Sequence, residues 1–302
     1  MKTVSELKDI LQFYPWGRVD AHVHTHLCDG KSEMTVQNIG DRAEKLGIEL
    51  VILTPHCHRR VSDETETLYE DTDEDIFAML RDEIDFYHRQ NGKVRFLLST
   101  EVDILSLQGD MSLSPSSVAE KALDLITPTM NYNPVLPLRA VHLTYGRDVD
   151  GLHESGEYTR MKEAAGGISA VLDGMYTAEE QAILKAPYPA MLGHFFAAHS
   201  VATARYNWFG IKEEHLPLLK AGAERVLAAC RKTEAMVDVT GLHLYYETVS
   251  HKRKKDGFLH EFQKSFLNRC KAEGILTCPG SDAHYLDGIG ESMIYTELFE
   301  DQ

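Results

Sequence analysis

The chain has 302 residues, of which 43% are hydrophobic, so it can bury a large core and has the length of one α/β barrel domain. Its formal charge of −16 argues against a surface that binds a nucleic-acid backbone. No apolar stretch approaches the roughly 18 residues of a membrane helix, and the N-terminus is typical of a short amphipathic helix rather than a signal peptide. We therefore expect a cytoplasmic protein with no membrane partner. The five scattered cysteines fit reduced thiols.

Short apolar runs alternate with helix-like segments along the chain, which is typical of a parallel α/β fold. We predict seven strands, at residues 17–21, 49–53, 94–99, 138–141, 190–193, 236–239 and 275–279. Apolar positions at spacings of three and four predict covering helices at residues 34–46, 74–87, 116–125, 214–230 and 258–272. The long insertion at residues 144–189 contains six glycines, so we expect it to mix loop and helix and to serve as a substrate lid.

Residue types that bind metals follow six of the seven predicted strands. In chain order they are Asp20, His22, His24, His26 and Asp29, then His56 and His58, then Glu101, His142 and His194, and finally Asp282 and His284. Barrel enzymes build their sites at the carboxyl ends of their strands. A lone histidine there is more often a hydrogen-bonded structural residue or a general base. Ionisable groups crowded at six strand ends are best reconciled by a cation, so together they predict a metal site.

The order of these residues resembles the PHP superfamily, named for its polymerase and histidinol phosphatase members. The family pattern is His-x-His-Thr, a third ligand several residues on, a strand-end His, a Glu, two separate His residues and a final Asp-x-His. This chain carries it as His22-Val23-His24-Thr25, Asp29, His56, Glu101, His142, His194 and Asp282-Ala283-His284. The resemblance spans residues 20–284. Strand six departs from many relatives, because Asp238-Val239-Thr240 stands where they carry Glu-x-Asn.

The resemblance implies a distorted seven-stranded (β/α)7 barrel that forms a single domain over residues 1–302, with two or three divalent ions at the C-terminal strand ends. It implies that one ion is held by His22, His24, Glu101 and Asp282. Glu101 would bridge to a second ion, held also by His142 and His194. The third ion would be held by Asp29, His56 and His284. Mixed histidine and carboxylate ligation fits Zn, Mn or Fe.

Adjacent divalent ions suit the hydrolysis of phosphate esters, because they offset charge in the transition state and lower the pKa of a bridging water. The resemblance therefore predicts a hydrolase for a small-molecule phosphate monoester, histidinol phosphate or a related compound, with a metal-bridging hydroxide as nucleophile. We interpret Cys28 and Cys57 as neighbours of the ligands. The leaving-group proton could come from Asp282, His58, His199 or His243.

Arginines are the expected partners of the outer phosphate oxygens. The leading candidates are Arg205 and Arg147, followed by Arg59 and Arg139, with Arg60 and Arg160 as further possibilities.

Three other functions are compatible with parts of the pattern. Thr54-Pro55-His56 is similar to the capsule-associated protein tyrosine phosphatases of the same superfamily. An amidohydrolase-type C–N hydrolase can also begin with His-x-His and end with an Asp, although the predicted fourth strand offers no lysine between the metals. A non-catalytic metal-binding barrel that assists a polymerase is the third alternative, and the complete set of ligands argues against it.

Overall fold

The computed structural model describes residues 1–28, 30–57, 59–61, 68–70, 75–130, 157–193, 195, 211–240 and 258–291. Within these ranges the helices are α1 Val4–Phe13, α2 Val36–Leu46, α3 Asp75–Arg89, α4 Ser117–Ala122, α5 Glu157–Ala164, α6 Ile168–Lys185, α7 Leu216–Thr233 and α8 Phe258–Ala272. The strands are β1 Val19–Val23, β2 Leu50–Leu53, β3 His56–Cys57, β4 Arg59–Val61, β5 Leu68–Glu70, β6 Arg95–Leu98, β7 Glu101–Asp103, β8 Thr127–Thr129, β9 Met191–Leu192, β10 Met236–Asp238 and β11 Thr277–Cys278. None of these helices combines the length and the apolar character that crossing a membrane requires.

The strands form three short parallel sheets and one antiparallel pair. The parallel sheets have the orders β1-β2-β6, β3-β7-β8 and β11-β10-β9, and β4 pairs with β5. Because parallel neighbours need crossover connections, the helices lie between the strands in the chain, as the predicted alternation requires. The observed architecture confirms the α/β class.

Contacts between the sheets join them edge to edge. The backbone bridge of Ile126 with Ala190 links the start of β8 to β9, and the bridge of Val23 with Ala283 links the end of β1 to the segment after β11. Ala21 N also donates a hydrogen bond to Pro279 O at 2.8 Å. The C-terminal ends of β1 and β11 therefore lie side by side.

Local sequence signals explain where several helices begin and end. Thr3 caps α1 in a reciprocal pair with Glu6, and the Thr35 side chain caps α2. α2 ends at Gly47, which adopts a left-handed φ of 77° that glycine tolerates best. These caps satisfy backbone groups that the first and last turns leave without helical partners.

The core lies between the strands and the helices that cover them. All four residues of β2 are buried, as expected for a strand that is packed on both faces. In the outer layer α6 packs against α7, where the Tyr176 ring lies over Gly222. A Cβ atom built on Gly222 would lie 1.9 Å from Tyr176 Cδ2, so this close approach requires glycine.

Most predicted helices and strands have a counterpart in the structure, but β8 was not predicted. The predicted strand at residues 138–141 lies outside the described residues, and the strand after β7 is β8, at Thr127–Thr129. The sequence pattern does not indicate β8, because Pro128 lies at its centre and proline in a sheet is usually confined to edge strands or bulges. The predicted helix at 116–125 accordingly ends early, at Ala122. The described part of the 144–189 insertion forms α5 and α6, and its role as a lid stays a prediction.

Candidate metal centre

Six polar side chains meet near the carboxyl ends of β1 and β11 and at the first residues of β3 and β7. His22 lies in β1 and His24 follows it, His56 begins β3, Glu101 begins β7, and the segment after β11 carries Asp282 and His284. The register of β3 against β7 places His56 directly beside Glu101. His22, His24 and Glu101 are fully buried, and His56 is only 4% exposed. These positions follow from strand geometry, since alternate residues of an extended segment share a face.

One carboxylate oxygen, Glu101 Oε2, faces three imidazole rings. It lies 3.0 Å from His56 Nδ1, 3.4 Å from His22 Nε2 and 3.5 Å from His24 Nε2. On the other side, Asp282 Oδ1 lies 2.8 Å from His24 Nε2 and 3.8 Å from His22 Nε2. Two carboxylates therefore enclose the same pair of imidazole nitrogens.

The imidazole rings are also packed against one another. The ring of His24 stacks on that of His284, with centroids 3.8 Å apart and planes 19° apart, and its centroid lies 4.4 Å from that of His56. Stacked imidazoles this close would repel one another if all were protonated. Neutral rings avoid this repulsion, and a neutral ring is the form that binds metals.

The donor atoms fit a metal ion. One donor atom each from His22, His24, Glu101 and Asp282 lies within 4.8 Å of all the others. Ligands about 2.0–2.3 Å from a tetrahedral zinc ion are roughly 3.3–3.8 Å apart, so a small inward movement would complete such a site. A second group with the same spacing contains His24, Cys28 and His56. A buried carboxylate needs a compensating positive charge, and an ion among these donors would supply one.

Asp238, at the end of β10, orients the first histidine. Its Oδ2 atom lies 2.7 Å from His22 Nδ1, and its Oδ1 atom accepts a hydrogen bond of 2.7 Å from the Thr240 backbone. This contact fixes the His22 tautomer so that Nε2 faces Glu101, as partners of metal-binding histidines commonly do. Burial lowers the pKa of His22, but Asp238 and Glu101 together raise it well above its usual value.

Gly280 and Asp20 hold the backbone in place next to His22 and Asp282. A Cβ atom built on Gly280 would lie 2.6 Å from His22 Cβ and 2.9 Å from Asp238 Oδ1, so glycine makes room for this pair. Asp20 accepts backbone hydrogen bonds from Ser281 at 2.8 Å and Gly290 at 3.1 Å. Burial raises the pKa of Asp20 to about 6, against these hydrogen bonds, which lower it. Asp20 thus anchors both ends of the segment that carries Asp282.

The backbone at Asp282 has an unusual conformation. Its φ is 58°, in the left-handed region that few residues other than glycine, asparagine and aspartate adopt. Its N–H donates to His22 O at 2.9 Å, which ties it to β1. His284 Nδ1 lies 2.9 Å from the Asp282 backbone oxygen. The left-handed turn therefore presents both side chains to the same region.

The structure brings together six of the nine predicted metal ligands. Of the remaining predicted site residues, Asp29, His58, Arg139, His142, Arg147, His194, His199, Arg205 and His243 lie outside the described residues. Arg59 and Arg60 belong to β4, and their side chains also lie outside that description. Arg160 is exposed in α5. Asp238, the partner of His22, was not among the predicted site residues, although an acid at a strand end was a usable signal.

Comparison with known proteins shows similarity of fold. No family model matches the chain, and no curated protein matches it either. A histidinol phosphate phosphatase structure from Lactococcus lactis, in complex with zinc, L-histidinol and phosphate, has a TM-score of 0.60 at 12% identity and covers 94% of this chain and 93% of its own. A putative histidinol phosphatase from Listeria monocytogenes also has a TM-score of 0.60, at 14% identity, and covers 90% of this chain and 97% of its own. The chain therefore shares the α/β fold of these two structures over nearly its whole length.

Proposed function

We propose that the chain is a metal-dependent phosphoesterase of the PHP superfamily that hydrolyses a small-molecule phosphate monoester. The observation that carries this proposal is the convergence of His22, His24, Glu101 and Asp282 on one buried point. The similar fold of the Lactococcus protein supports it, because that structure contains zinc, L-histidinol and phosphate. Histidinol phosphate is therefore the first substrate to test.

In this proposal six described residues, together with Asp29, His142 and His194 outside the described ranges, hold two or three divalent ions. His22, His24, Glu101 and Asp282 would hold one ion, and Glu101 would bridge to a second, held with His142 and His194. Asp29, His56 and His284 would hold a third. Ions bound there would offset negative charge on the phosphoryl oxygens and lower the pKa of a coordinated water toward neutrality. Zinc, manganese and iron all fit the donors.

The side chains contribute order, exclusion of water and proton transfer. Asp238 holds His22 with Nε2 toward Glu101, so the ligand geometry exists before substrate arrives. His22, His24 and Glu101 are buried from water, whereas Asp282 and His284 are partly exposed. Asp282 is our proposed acid for the leaving group, with His58, His199 and His243 as the other candidates. Arg205, Arg147, Arg59 and Arg139 stay the proposed partners of the phosphate.

We extend the proposal to the fold, as a distorted barrel of seven parallel strands. β2 continues into β3 and β6 into β7, so seven strand units result when β1, β8, β9, β10 and β11 are added. The bridges of Ile126 with Ala190 and Val23 with Ala283 support a continuous ring. Counted from β1, the fourth unit in this ring is β8.

The test is metal analysis combined with a substrate panel. Protein purified without chelator is analysed for bound metal and assayed with p-nitrophenyl phosphate, histidinol phosphate, a phosphotyrosine peptide and a cyclic amide. We expect about two to three ions per chain, and hydrolysis of the two small phosphate esters that a chelator abolishes and added zinc, manganese or iron restores.

The other outcomes distinguish the alternatives. Preference for the phosphotyrosine peptide would favour the capsule-type tyrosine phosphatase. Hydrolysis of the amide alone would favour the C–N hydrolase, and bound metal without any hydrolysis would favour a non-catalytic barrel. A chain with neither metal nor activity under any added divalent ion would contradict the proposal.

A further inference from the structure

Cys28 lies beside the proposed metal centre. Its sulfur and one nitrogen each of His24 and His56 all lie within 4.8 Å of one another. Cys28 is half-buried, whereas the other four cysteines of the chain are buried. The sequence pattern predicted the adjacent Asp29 as a metal ligand and Cys28 only as its neighbour.

A tight turn after β1 places the Cys28 side chain there. The N–H groups of Cys28 and Gly30 both donate to Thr25 O, each at 3.1 Å. A Cβ atom on Gly30 would lie only 2.6 Å from that oxygen, so the turn closes tightly because residue 30 is glycine. The turn folds the sulfur back toward His24.

The Cys28 sulfur also receives a hydrogen bond. The His56 backbone N–H donates to Cys28 Sγ at 3.1 Å. A hydrogen bond donated to sulfur stabilises negative charge on it, and the thiolate is the form that binds metals. The same contact fixes the sulfur next to the His56 ring.

We propose that Cys28 binds, as a thiolate, the same ion that the proposed function assigns to Asp29, His56 and His284, beside the ion that His22 and Asp282 hold. This inference rests on the metal centre of the proposed function. On binding, the thiol releases its proton to solvent and the sulfur donates a lone pair to the ion, with no change of oxidation state. Because His24 belongs to both donor groups, the two ions are neighbours.

A thiolate ligand gives this position a preference among metals. Sulfur is a soft donor that favours zinc, whereas manganese favours carboxylate and water ligands. We therefore infer that the Cys28 position selects zinc over manganese.

Cobalt substitution tests the inference directly. Cobalt(II) bound to a thiolate gives an intense sulfur-to-metal charge-transfer absorption in the near ultraviolet, which nitrogen and oxygen ligands do not give. Metal-free protein is titrated with cobalt for the unmodified chain, Cys28→Ser and the matched control Cys57→Ser. We expect the absorption in the unmodified chain and in Cys57→Ser, and its loss in Cys28→Ser.

X-ray absorption of the zinc-loaded, unmodified chain gives a second readout that needs no variant. A thiolate would add a scattering shell at about 2.3 Å, beyond the nitrogen and oxygen shell at about 2.0–2.1 Å. In addition, the fast-reacting thiol of the metal-free protein, titrated with a disulfide reagent, should be lost when zinc is bound.

The outcomes separate this inference from the proposed function. Bound cobalt or zinc with no charge-transfer absorption, no sulfur shell and an unprotected thiol would overturn the role of Cys28 and leave the metal centre intact. An absorption that disappears in Cys57→Ser but persists in Cys28→Ser would overturn it too. A chain that binds no ion at all would overturn the proposed function itself.

Discussion

Two buried glutamates, one at the strand ends and one in the helix layer, differ in the groups that surround their carboxyl groups. Glu101 is fully buried, and its Oε2 atom faces the imidazole nitrogens of His22, His24 and His56. Glu179, in α6, is 2% exposed, and its Oε2 atom has no hydrogen-bond partner among the described residues. Burial raises the pKa of Glu179 to about 8. In the helix layer a buried acid is kept neutral, whereas at the strand ends it is surrounded by metal donors.

The sharpest test of this contrast applies the same substitution to both glutamates. Glu101→Gln should lower the proposed phosphoesterase activity more than about 100-fold, because it would remove a charged ligand that the proposed centre places between two ions. Loss of a residue that only orients a metal ligand typically costs about 10- to 100-fold. Glu179→Gln is the matched control and should leave turnover per folded molecule unchanged. The measurement is kcat/KM with p-nitrophenyl phosphate at saturating zinc. Equal losses in the two variants would show that the contrast has no functional meaning.

The next largest effect should come from Asp238. Asp238→Asn removes the negative charge that faces His22 Nδ1, so zinc affinity should fall about 10- to 100-fold. Competition with a coloured chelator measures the affinity. Asp124→Asn is a suitable control, because Asp124 is a buried acid that pairs with Arg81 rather than with a histidine of the site. The idea fails if both variants bind zinc as tightly as the unmodified chain.

The pH dependence of stability tests the protonation of the buried Glu179 in the helix layer. The folded-state pKa of Glu179, about 8, lies above its ordinary value of 4.5, so the folded chain holds a proton that the unfolded chain releases between these pH values. The free energy of unfolding should therefore fall as pH rises through this window, and level off above it. Glu179→Gln should be more stable than the unmodified chain by a few kcal/mol at pH 8, and nearly equal at pH 5. Urea unfolding at the two pH values measures this, and a constant difference would contradict it.

The smallest predicted effect concerns the packing of the helix layer. Gly222→Ala would place a methyl group against the buried Tyr176 ring and should destabilise the fold by about 1–3 kcal/mol. An ordinary glycine-to-alanine change inside a helix stabilises the protein by about 1 kcal/mol, so the sign of the change in the free energy of unfolding decides the test. The urea midpoint measures it, and the activity of the folded fraction should not change.

Local patterns were sufficient to predict the parts of the fold that lie within single segments. The helix predicted at residues 258–272 has the bounds of α8, because apolar spacing and charge define it locally. The strands β1, β2, β10 and β11 fall within or beside apolar runs of the sequence. The proximity of His22, His24 and Glu101 also followed, since the ends of parallel strands meet at one side of the fold.

Features that depend on distant contacts could not be predicted in this way. β8 was missed because Pro128 interrupts the pattern of a strand, and only its pairing with β7 reveals it. The contact of Asp238 with His22 joins residues 216 positions apart. The position of Cys28 depends on a tight turn and on the backbone of His56 in a different strand. In each case the partner is set by the assembled sheet rather than by the neighbouring sequence.

The contact between His24 and Asp282 joins residues that are 258 positions apart. During synthesis on the ribosome, the segment after β1 that carries His24 emerges early, and almost the whole chain must be made before Asp282 is present. Contacts of such long sequence separation also form late in folding, because the intervening chain must first be ordered. The complete donor set therefore requires both halves of the chain to have assembled, so bound metal in the proposed enzyme would distinguish fully folded molecules from partly folded ones.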